Sequence, residues 1–334
     1  MKQVTSFDVA RLAGVSQPTV SRALRNMPGT STETRAKVLQ AAAELSYIVS
    51  DSARVLSTTK THRIAVVSEE LTNPYYPELV EPLRRYLAEH DLRAVVVTDT
   101  GQTGIQLAAL ADGSYDGVIL TTTARRSTLP RDLTERRIPH VLVNRILDSA
   151  ESPSCSIDNA GGMAAIAKLL ADLGHSRVGA IHGPVETSTG RERSEALRRA
   201  LSARGVYLRR EMVVRTDFSH DAGYRAALQL LAIDRPPTAL VCGNDVVALG
   251  ALSAAKEIGI RIPDDLTVIG FDDIPMAAWP LIGLTTVRCD LDRMAKTSVS
   301  MLLDEIDRPS HSPTVERIDV RLQERRTHGR PGSR

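Results

Sequence analysis

With 334 residues, 42% of them hydrophobic and 25% charged, the chain has the composition of an ordinary globular protein and enough length for about two or three domains. The formal net charge is +2, but residues 1–60 carry eight Lys or Arg against four Asp or Glu, and this basic excess predicts contact with a polyanion. The three cysteines lack metal-site spacing, and neither a signal-peptide core nor a transmembrane run is present. We therefore expect a cytoplasmic protein without metal, cofactor or membrane contact.

The first sixty residues predict three short helices. Thr5 begins the first with a capping-box pattern, and Gly14 ends it, because a left-handed terminal residue favours glycine. Ser16 is a good N-cap for the second helix, and Pro18 falls in its first turn, where a missing N–H costs little. A third helix starts near Ser31. This pattern is typical of a helix-turn-helix; a small bundle without a DNA role gives the same pattern, but the basic excess favours DNA binding.

From His62 onwards the pattern changes to short apolar runs such as "RIAVVS", "DGVILT" and "TALVCGND", separated by helix-like segments. This alternation predicts α/β units with doubly wound parallel sheets, and the length favours two of them. Asn144, Asn244 and Asp272 follow strands at the end where open α/β sheets bind ligands. Any one of them could instead cap the next helix, but several together favour a ligand cleft. Motifs of nucleotide-binding, hydrolase and zinc-protease sites are absent from the sequence, so we do not expect an enzyme.

The stretch "VTSFDVARLAGVSQPTVSRALRN" closely resembles the DNA-binding headpiece of the LacI/GalR family of bacterial transcriptional regulators. "NPYYPELV", "SIDNAGGMAAIAKLLADLGHSRVGAIHGP" and "IPDDLTVIGFDD" resemble the core of that family, which has a type I periplasmic-binding-protein fold. The resemblance implies a small all-α helix-turn-helix headpiece followed by two doubly wound parallel-sheet subdomains. The implied boundaries are 1–49 for the headpiece, 50–61 for a hinge helix, 62–160 plus 291–318 for the N-terminal effector subdomain, and 161–290 plus 319–326 for the C-terminal one. The Gly- and Pro-containing charged tail, 327–334, is expected to be disordered.

The resemblance also implies which residues contact DNA. Gln17, Pro18 and Arg22 match the base-reading positions of the second helix. Gln17 suits adenine and Arg22 suits guanine, whereas Pro18 has no donor and offers only apolar contact, for instance to a thymine methyl. Phosphate contacts are implied for Thr5, Ser16, Thr19, Ser21, Asn26 and Thr34. In the hinge, the matching minor-groove residues are Ala53, Arg54 and Leu56, with the leucine as an apolar wedge.

Effector positions follow from the same resemblance. Arg193 matches the arginine that bonds effector hydroxyls or carboxylate, and Phe218 matches an aromatic that lies against the ligand. The other matching positions are Tyr75, Tyr76, Asn144, Asn244 and Asp272. Trp279, the sole tryptophan, is either a pocket wall or a core residue. These residue types suit a small polyhydroxy ligand such as a sugar.

The implied function is that of a homodimeric regulator, most simply a repressor, which binds a palindromic double-stranded DNA operator and responds to a small effector in the cleft. The tail lacks leucine heptads, so a dimer is expected instead of a tetramer. The alternatives are a regulator controlled by a protein co-regulator or a nucleobase, and a solute-binding protein with the same core fold. The headpiece argues against a solute-binding protein. The sequence does not decide whether the effector releases the regulator from DNA or recruits it.

Overall fold

The computed structural model describes residues 4–24, 27–47, 60–68, 71–98, 107–149, 151–308 and 313–332. The chain forms two compact units, Met1–Thr61 and His62–Arg334. Four residues to which the sequence assigns DNA contacts lie outside the described residues: Asn26, Ala53, Arg54 and Leu56. Within the described ranges, no helix is both long and apolar enough to cross a membrane.

The first unit is a three-helix headpiece. Its helices are α1 (Ser6–Ala13), α2 (Gln17–Leu24) and α3 (Thr32–Glu44). Gly14 ends α1 with a φ of 67°, the left-handed conformation that its position predicts. Val9, Val20 and Val38, one from each helix, are fully buried in a common core. Burial of Val20 fixes the inner face of α2, so the side chains on the opposite face of this helix point outward.

The N-terminal subdomain of the second unit is built on a six-stranded sheet. Its strands are β1 (Arg63–Ser68), β2 (Arg93–Thr98), β3 (Gly117–Leu120), β4 (His140–Val143), β5 (Ser154–Ile157) and β11 (Val315–Ile318). They lie in the order β11-β5-β4-β3-β1-β2, and all neighbours are parallel. The helices are α4 (Tyr75–Glu89), α5 (Leu107–Leu110), α6 (Leu129–Glu135) and α11 (Leu291–Asp307). Strands β3 and β4 are buried throughout, as expected for parallel strands with helices on both faces.

The C-terminal subdomain repeats this plan on four strands. They are β6 (Val178–His182), β7 (Val213–Arg215), β8 (Ala239–Cys242) and β9 (Thr267–Ile269), in the parallel order β7-β6-β8-β9. The helices are α7 (Asn159–Leu173), α8 (Ser188–Ser202), α9 (His220–Leu231) and α10 (Asp245–Glu257). Short 3-10 turns occupy Arg210–Met212 and Pro275–Ala278. Helices α9 and α10 pack closely because Gly223 and Gly250 leave no side chain between their backbones.

Three crossovers connect the subdomains. The chain passes from β5 to α7, from β10 (Thr286–Cys289) to α11, and from β11 to β12 (Val320–Gln323). Strands β10 and β12 pair antiparallel and form a two-stranded ribbon of their own. Each sheet thus belongs to a different subdomain, and the ribbon lies on two of the three connections between them.

The C-terminal tail corrects an expectation from composition. Residues 327–332 are ordered along β9 instead of disordered, and Thr327 is buried. The Val268 N–H donates to the Thr327 carbonyl over 2.8 Å, and Thr327 Oγ1 donates to the Val268 carbonyl over 2.6 Å. Because β9 is the edge strand of its sheet, its outer backbone groups need partners, and the tail supplies them. Composition alone carries no information about that demand.

We expect Thr327→Val to lower the free energy of unfolding by about 1–3 kcal/mol, because the Thr285 N–H, which donates to Thr327 Oγ1 over 2.9 Å, would be left buried without an acceptor. Urea denaturation measures the change. The matched control is Thr314→Val, which makes the same substitution at an exposed position. Equal destabilisation by the two substitutions would show that the tail does not stabilise β9 in this way.

Candidate functional site

The surface that the sequence assigns to base reading lies on α2. Pro18 and Arg22 are exposed one turn apart, and Arg22 Nε donates to the Pro18 carbonyl over 3.4 Å. Gln17 is half-buried, and its Nε2 donates to Ser6 Oγ of α1 over 3.3 Å. Gln17 and Pro18 lie in the first turn of α2, the end of a recognition helix that contacts base edges, and Arg22 lies in its last turn. The bond to the Pro18 carbonyl directs the Arg22 side chain back toward the first turn.

The predicted phosphate contacts that the structure describes are hydroxyl groups at or near helix N-termini. Thr5 precedes α1, Ser16 precedes α2, and Thr34 lies in the first turn of α3. Thr19 shares a hydrogen bond of 2.8 Å with Ser16, and Ser21 lies further along α2. Helix N-termini present N–H groups and the positive end of the helix dipole, both of which favour phosphate. The described part of the headpiece is therefore chemically suited to a phosphate backbone.

A cleft in the second unit gathers residues that follow strand ends of both sheets. Ten side chains line it: Asn73, Tyr75, Tyr76, Asn144, Arg145, Thr189, Arg193, Phe218, Asn244 and Asp272. Among them are seven of the eight residues that the sequence assigns to the effector. The volume of the cleft is about 20 Å³, which holds about one water molecule. A sugar-sized ligand therefore requires the subdomains to separate before it enters.

Arg193 of α8 is the centre of the polar network in the cleft. Its side chain is only 4% exposed. Nε donates to Asn159 Oδ1 over 2.9 Å, Nη1 to the Gly243 carbonyl over 2.7 Å, and Nη2 to Asp272 Oδ1 over 3.1 Å. The guanidinium carbon also lies 3.9 Å from the centroid of the Phe271 ring. A buried cation needs such partners, so Arg193 holds the start of α7 and the ends of β8 and β9 in fixed positions.

The N-terminal wall of the cleft is a hydrogen-bonded tyrosine and its neighbours. Tyr75 Oη donates to Asn144 Oδ1 over 3.0 Å, and burial raises the pKa of Tyr75 well above its ordinary value, so it remains a neutral donor. The rings of Tyr75 and Tyr76 meet edge to face with centroids 5.6 Å apart. Asn144 has a φ of 67° and Asp272 has a φ of 123°. Left-handed backbone at non-glycine residues costs energy and is found where a site orients its side chains.

Phe218 forms the aromatic part of the C-terminal wall, and a glycine makes room for it. A Cβ added at Gly183 would lie 2.0 Å from the Phe218 ring, so any larger residue at the end of β6 would displace the aromatic. Asn73 Nδ2 donates to the Phe218 carbonyl over 3.4 Å from the opposite subdomain. The segment of Phe218 thus contributes both a ring that lines the cleft and a hydrogen bond across it.

Further polar contacts also join the two subdomains at the cleft. The Arg125 N–H donates to the Glu186 carbonyl over 2.7 Å. Asp148 accepts from Arg125 Nε over 2.8 Å and also from Arg191 Nη2, so one carboxylate is held by arginines of both subdomains. Asp148 is half exposed, which makes its ion pairs weak individually and sensitive to salt. The ion pairs that Asp148 makes between the subdomains are therefore individually weak.

Two buried carboxylates interact next to the cleft: Asp272 lines it, and Asp245, which follows the cleft residue Asn244, is fully buried. Burial raises the pKa of Asp272, and the neighbouring Arg193 opposes that rise. Burial also raises the pKa of Asp245, and the negative charge of Asp272 raises it further. The hydrogen bonds that Asp245 accepts from Thr286 Oγ1 and from the Ile274 N–H lower this pKa in part. The two carboxyl groups therefore hold protons to higher pH than exposed aspartates, and the cleft carries correspondingly less negative charge.

Several residues of the cleft were not found from the sequence. Asn73 and Thr189 line it without any signal in the sequence, whereas Arg145, which also lines it, directly follows the strand-end residue Asn144. The side-chain oxygens of Ser68, at the end of β1, and Thr123, three residues after β3, are buried without a hydrogen-bond partner among the described residues. Only the packing of the sheet reveals such unpaired hydroxyl groups, because every serine and threonine looks alike in the sequence.

Trp279 does not line the cleft, which corrects its assignment to the effector site. It follows the 3-10 turn Pro275–Ala278 and is 55% exposed. The stretch "MAAWPLIGL" is apolar enough to suggest burial, but the turn leads the chain along the surface, where Leu281 is fully exposed as well. Trp279 and Leu281 are therefore surface residues, although Ala277 and Leu284 of the same segment are buried.

Comparison with known proteins identifies the family. Residues 7–50 match the bacterial regulatory proteins of the lacI family, and residues 167–328 match a periplasmic binding protein-like domain. Over 329 residues the chain is 33% identical to the HTH-type transcriptional repressor PurR of Yersinia enterocolitica, a match that covers 97% of this chain and 96% of that protein. The chain belongs to the LacI family. It is therefore a DNA-binding transcriptional regulator with a ligand-binding core, as the sequence predicts.

Solved structures of LacI-family members share this architecture. The lac repressor dimer bound to operator and the anti-inducer ONPF is 26% identical, with a TM-score of 0.87 over 98% of this chain and 99% of that one. The transcriptional regulator CelR in complex with cellobiose is 29% identical, with a TM-score of 0.75 over 97% of this chain and 100% of that one. The predicted fold class, an all-α headpiece followed by two parallel-sheet subdomains, is confirmed.

The buried Asp245 predicts a pH dependence of stability. Its pKa in the folded regulator is raised above that of an unfolded aspartate, about 3.9, so its contribution is complete below about pH 4 and is lost as the pH rises through the folded value. Asp245→Asn mimics the protonated carboxyl group. We expect its free energy of unfolding, measured by urea denaturation, to decline less than that of the wild type between about pH 4 and 7.

The control is Asp234→Asn, the same substitution at an exposed aspartate. Parallel stability curves for the wild type and Asp245→Asn over this range would show that Asp245 does not gain a proton on folding. A flattened curve in Asp234→Asn would place the effect in surface charge instead.

Proposed function

We propose that this protein represses transcription as a homodimer, which binds a palindromic operator and changes its affinity when a polyhydroxy effector occupies the cleft. One observation carries the proposal: seven polar and aromatic side chains from both subdomains converge on one cleft, in a chain that also has a helix-turn-helix headpiece. Two similar structures support it, since the lac repressor is a dimer bound to operator and CelR is in complex with cellobiose.

On DNA, a two-fold dimer sets the two α2 helices on the half-sites of a near-palindrome. Arg22 reads guanine through O6 and N7, and Pro18 packs on a thymine methyl. Gln17 exchanges its bond with Ser6 Oγ for an adenine edge. The headpiece hydroxyls and its basic excess contact phosphates, so affinity falls steeply with salt. The minor-groove roles of Ala53, Arg54 and Leu56 stay predictions from the family resemblance.

The chemistry of the cleft suits a ligand with several hydroxyl groups. The Arg193 guanidinium and the Asp272 carboxyl group supply a donor and an acceptor, and the Phe218 ring supplies an apolar face for C–H groups. A sugar or sugar derivative combines both kinds of surface.

Control of DNA binding follows from the two states of the cleft. The closed state has contacts across the cleft but no room for a sugar, so a ligand of that size binds only a state with a wider cleft. Ligand therefore shifts the population toward the wider state by its difference in affinity. The relative tilt of the two N-terminal subdomains in the dimer changes with that state, and with it the stability of the hinge helices on DNA.

Arg22→Ala tests the base-reading role. We expect it to weaken binding to the specific operator by about 1–3 kcal/mol, with a smaller loss on random DNA of equal length, because a guanine contact is removed. Gel-shift titrations at one fixed salt concentration measure both affinities. Equal losses on the two DNAs would assign Arg22 to the phosphate backbone and reject its reading role.

Arg193→Ala tests the effector site. In a thermal-shift screen of sugars, sugar phosphates and nucleobases, we expect any ligand that stabilises the wild type to leave this variant unshifted, because the hydrogen-bonding fork is lost. Arg193→Lys keeps the charge without the fork and should give a reduced shift. Arg198→Ala, an exposed arginine on the same helix, is the control. An undiminished shift in folded Arg193→Ala, checked by circular dichroism, would place the ligand elsewhere.

A further inference from the structure

A second cavity lies on the strands that link the two subdomains. Its volume is about 830 Å³, far larger than that of the closed cleft, and α4, β10, β12 and the start of α11 contribute to its lining. Asp272 lines both cavities, whereas the adjacent Asp273 lines only this one. We call it the crossover cavity, because β10 and β12 belong to two of the three connections between subdomains.

Two arginines face this cavity from directly opposite positions. In the antiparallel β10–β12 ribbon, Arg288 pairs with Arg321, which puts both side chains on the same face. Both line the crossover cavity. Like charges directly opposite each other on two strands are destabilising, with Cβ atoms typically about 4.5–5.5 Å apart. An arrangement of this kind is relieved when an anion sits between the two guanidinium groups.

The described residues provide little internal neutralisation for this pair. Arg288 has one ion-pair partner, Asp273, at 3.9 Å, which is beyond hydrogen-bond distance. Asp273 is instead bonded to Arg325 Nη2 at 2.6 Å. Arg321 has no ion pair or hydrogen bond to any side chain within the described ranges. Its guanidinium, like that of Arg288, therefore directs N–H donors into the cavity.

Most carboxylates of the same cavity already have cationic or backbone partners. Asp292 accepts from Arg85 and from Tyr86 Oη, the latter over 2.7 Å. Asp319 lies 3.7 Å from an Arg293 nitrogen, and Asp290 caps α11 by accepting from the Arg293 N–H over 2.9 Å. The acidic lining is thus organised around other arginines, and the Arg288–Arg321 pair is the part of the cavity with positive charge in excess.

We propose that the crossover cavity binds a small dianion, a phosphate ester or a dicarboxylate, between Arg288 and Arg321. The planar fork of a guanidinium matches the oxygens of both groups in bidentate geometry, and two opposed forks suit a doubly charged ligand. Because β10 and β12 change subdomain at this place, a dianion that bridges them favours one arrangement of the crossovers. The cavity is thus a second regulatory site, separate from the effector in the cleft.

Titration calorimetry of the full-length protein with glycerol 3-phosphate, a phosphate ester that is doubly charged well above its second pKa of about 6, tests the proposal at constant ionic strength. We expect saturable binding to the wild type, and dissociation constants at least about tenfold higher for Arg288→Gln and for Arg321→Gln, since each removes a charge-assisted contact. Arg198→Gln, an exposed arginine outside this cavity, should bind as the wild type does. Succinate, a dicarboxylate, replaces glycerol 3-phosphate in a second arm, which distinguishes a general dianion site from one that requires phosphate.

Absence of saturable binding of either anion to the wild type would overturn the proposal. So would undiminished binding in both Arg288→Gln and Arg321→Gln, or loss of binding in Arg193→Lys or Arg22→Ala instead, which would move the anion to the cleft or to the headpiece. Both tested arginines are exposed, so their substitution should preserve folding, and unchanged thermal unfolding verifies it. The outcome is independent of whether a sugar binds the cleft, so the two proposals fail separately.

Discussion

The buried guanidinium of Arg193 is the interaction on which the cleft depends. A cation at this depth is tolerated only with an anionic partner and acceptors for its donors, and Asn159, Gly243 and Asp272 meet that requirement from three different elements. Asn159 begins α7, Gly243 follows β8 and Asp272 follows β9, so the bonds to Arg193 fix these three elements relative to one another. The left-handed backbone of Asp272 is one consequence, since it brings the carboxylate to the guanidinium at a cost in local strain.

The same guanidinium is linked to the connection between subdomains. Asn159, which accepts from Arg193, donates to Glu192 Oε2 over 2.7 Å, and Glu192 binds both terminal nitrogens of Arg317 at 2.8 and 2.9 Å. Arg317 lies on β11, directly before the crossover to β12. Arg193 is therefore joined through a continuous polar network to the connection between β11 and β12.

The sequence predicts the cleft residues that follow the carboxyl ends of parallel strands, and it does not predict those whose position depends on three-dimensional packing. Asn144, Asn244 and Asp272 were found because parallel strands place their carboxyl ends together. Arg193 and Phe218 lie on other elements and were found only through the resemblance to a family. Nothing in the spacing of Asn73 or Thr189 marks them, because loops and helix starts have no fixed periodicity. Composition predicts a disordered tail because it contains no information about the open edge of β9, along which the tail lies. It likewise does not show the direction of the turn before Trp279, which leaves this side chain exposed.

The arginines of the second unit lie in two different environments. Arg193 is buried and bonded within the protein, whereas Arg288 and Arg321 are exposed. Arg193 already donates to three acceptors, all on elements of the C-terminal subdomain, so a ligand that contacts it exchanges for existing bonds. Arg288 and Arg321 are exposed and face each other without such partners, so an anion gains contacts there without displacing any. Asp272 lines both cavities, one on each side of the linking strands. Any rotation of the subdomains about those strands therefore changes the shape of both cavities at once.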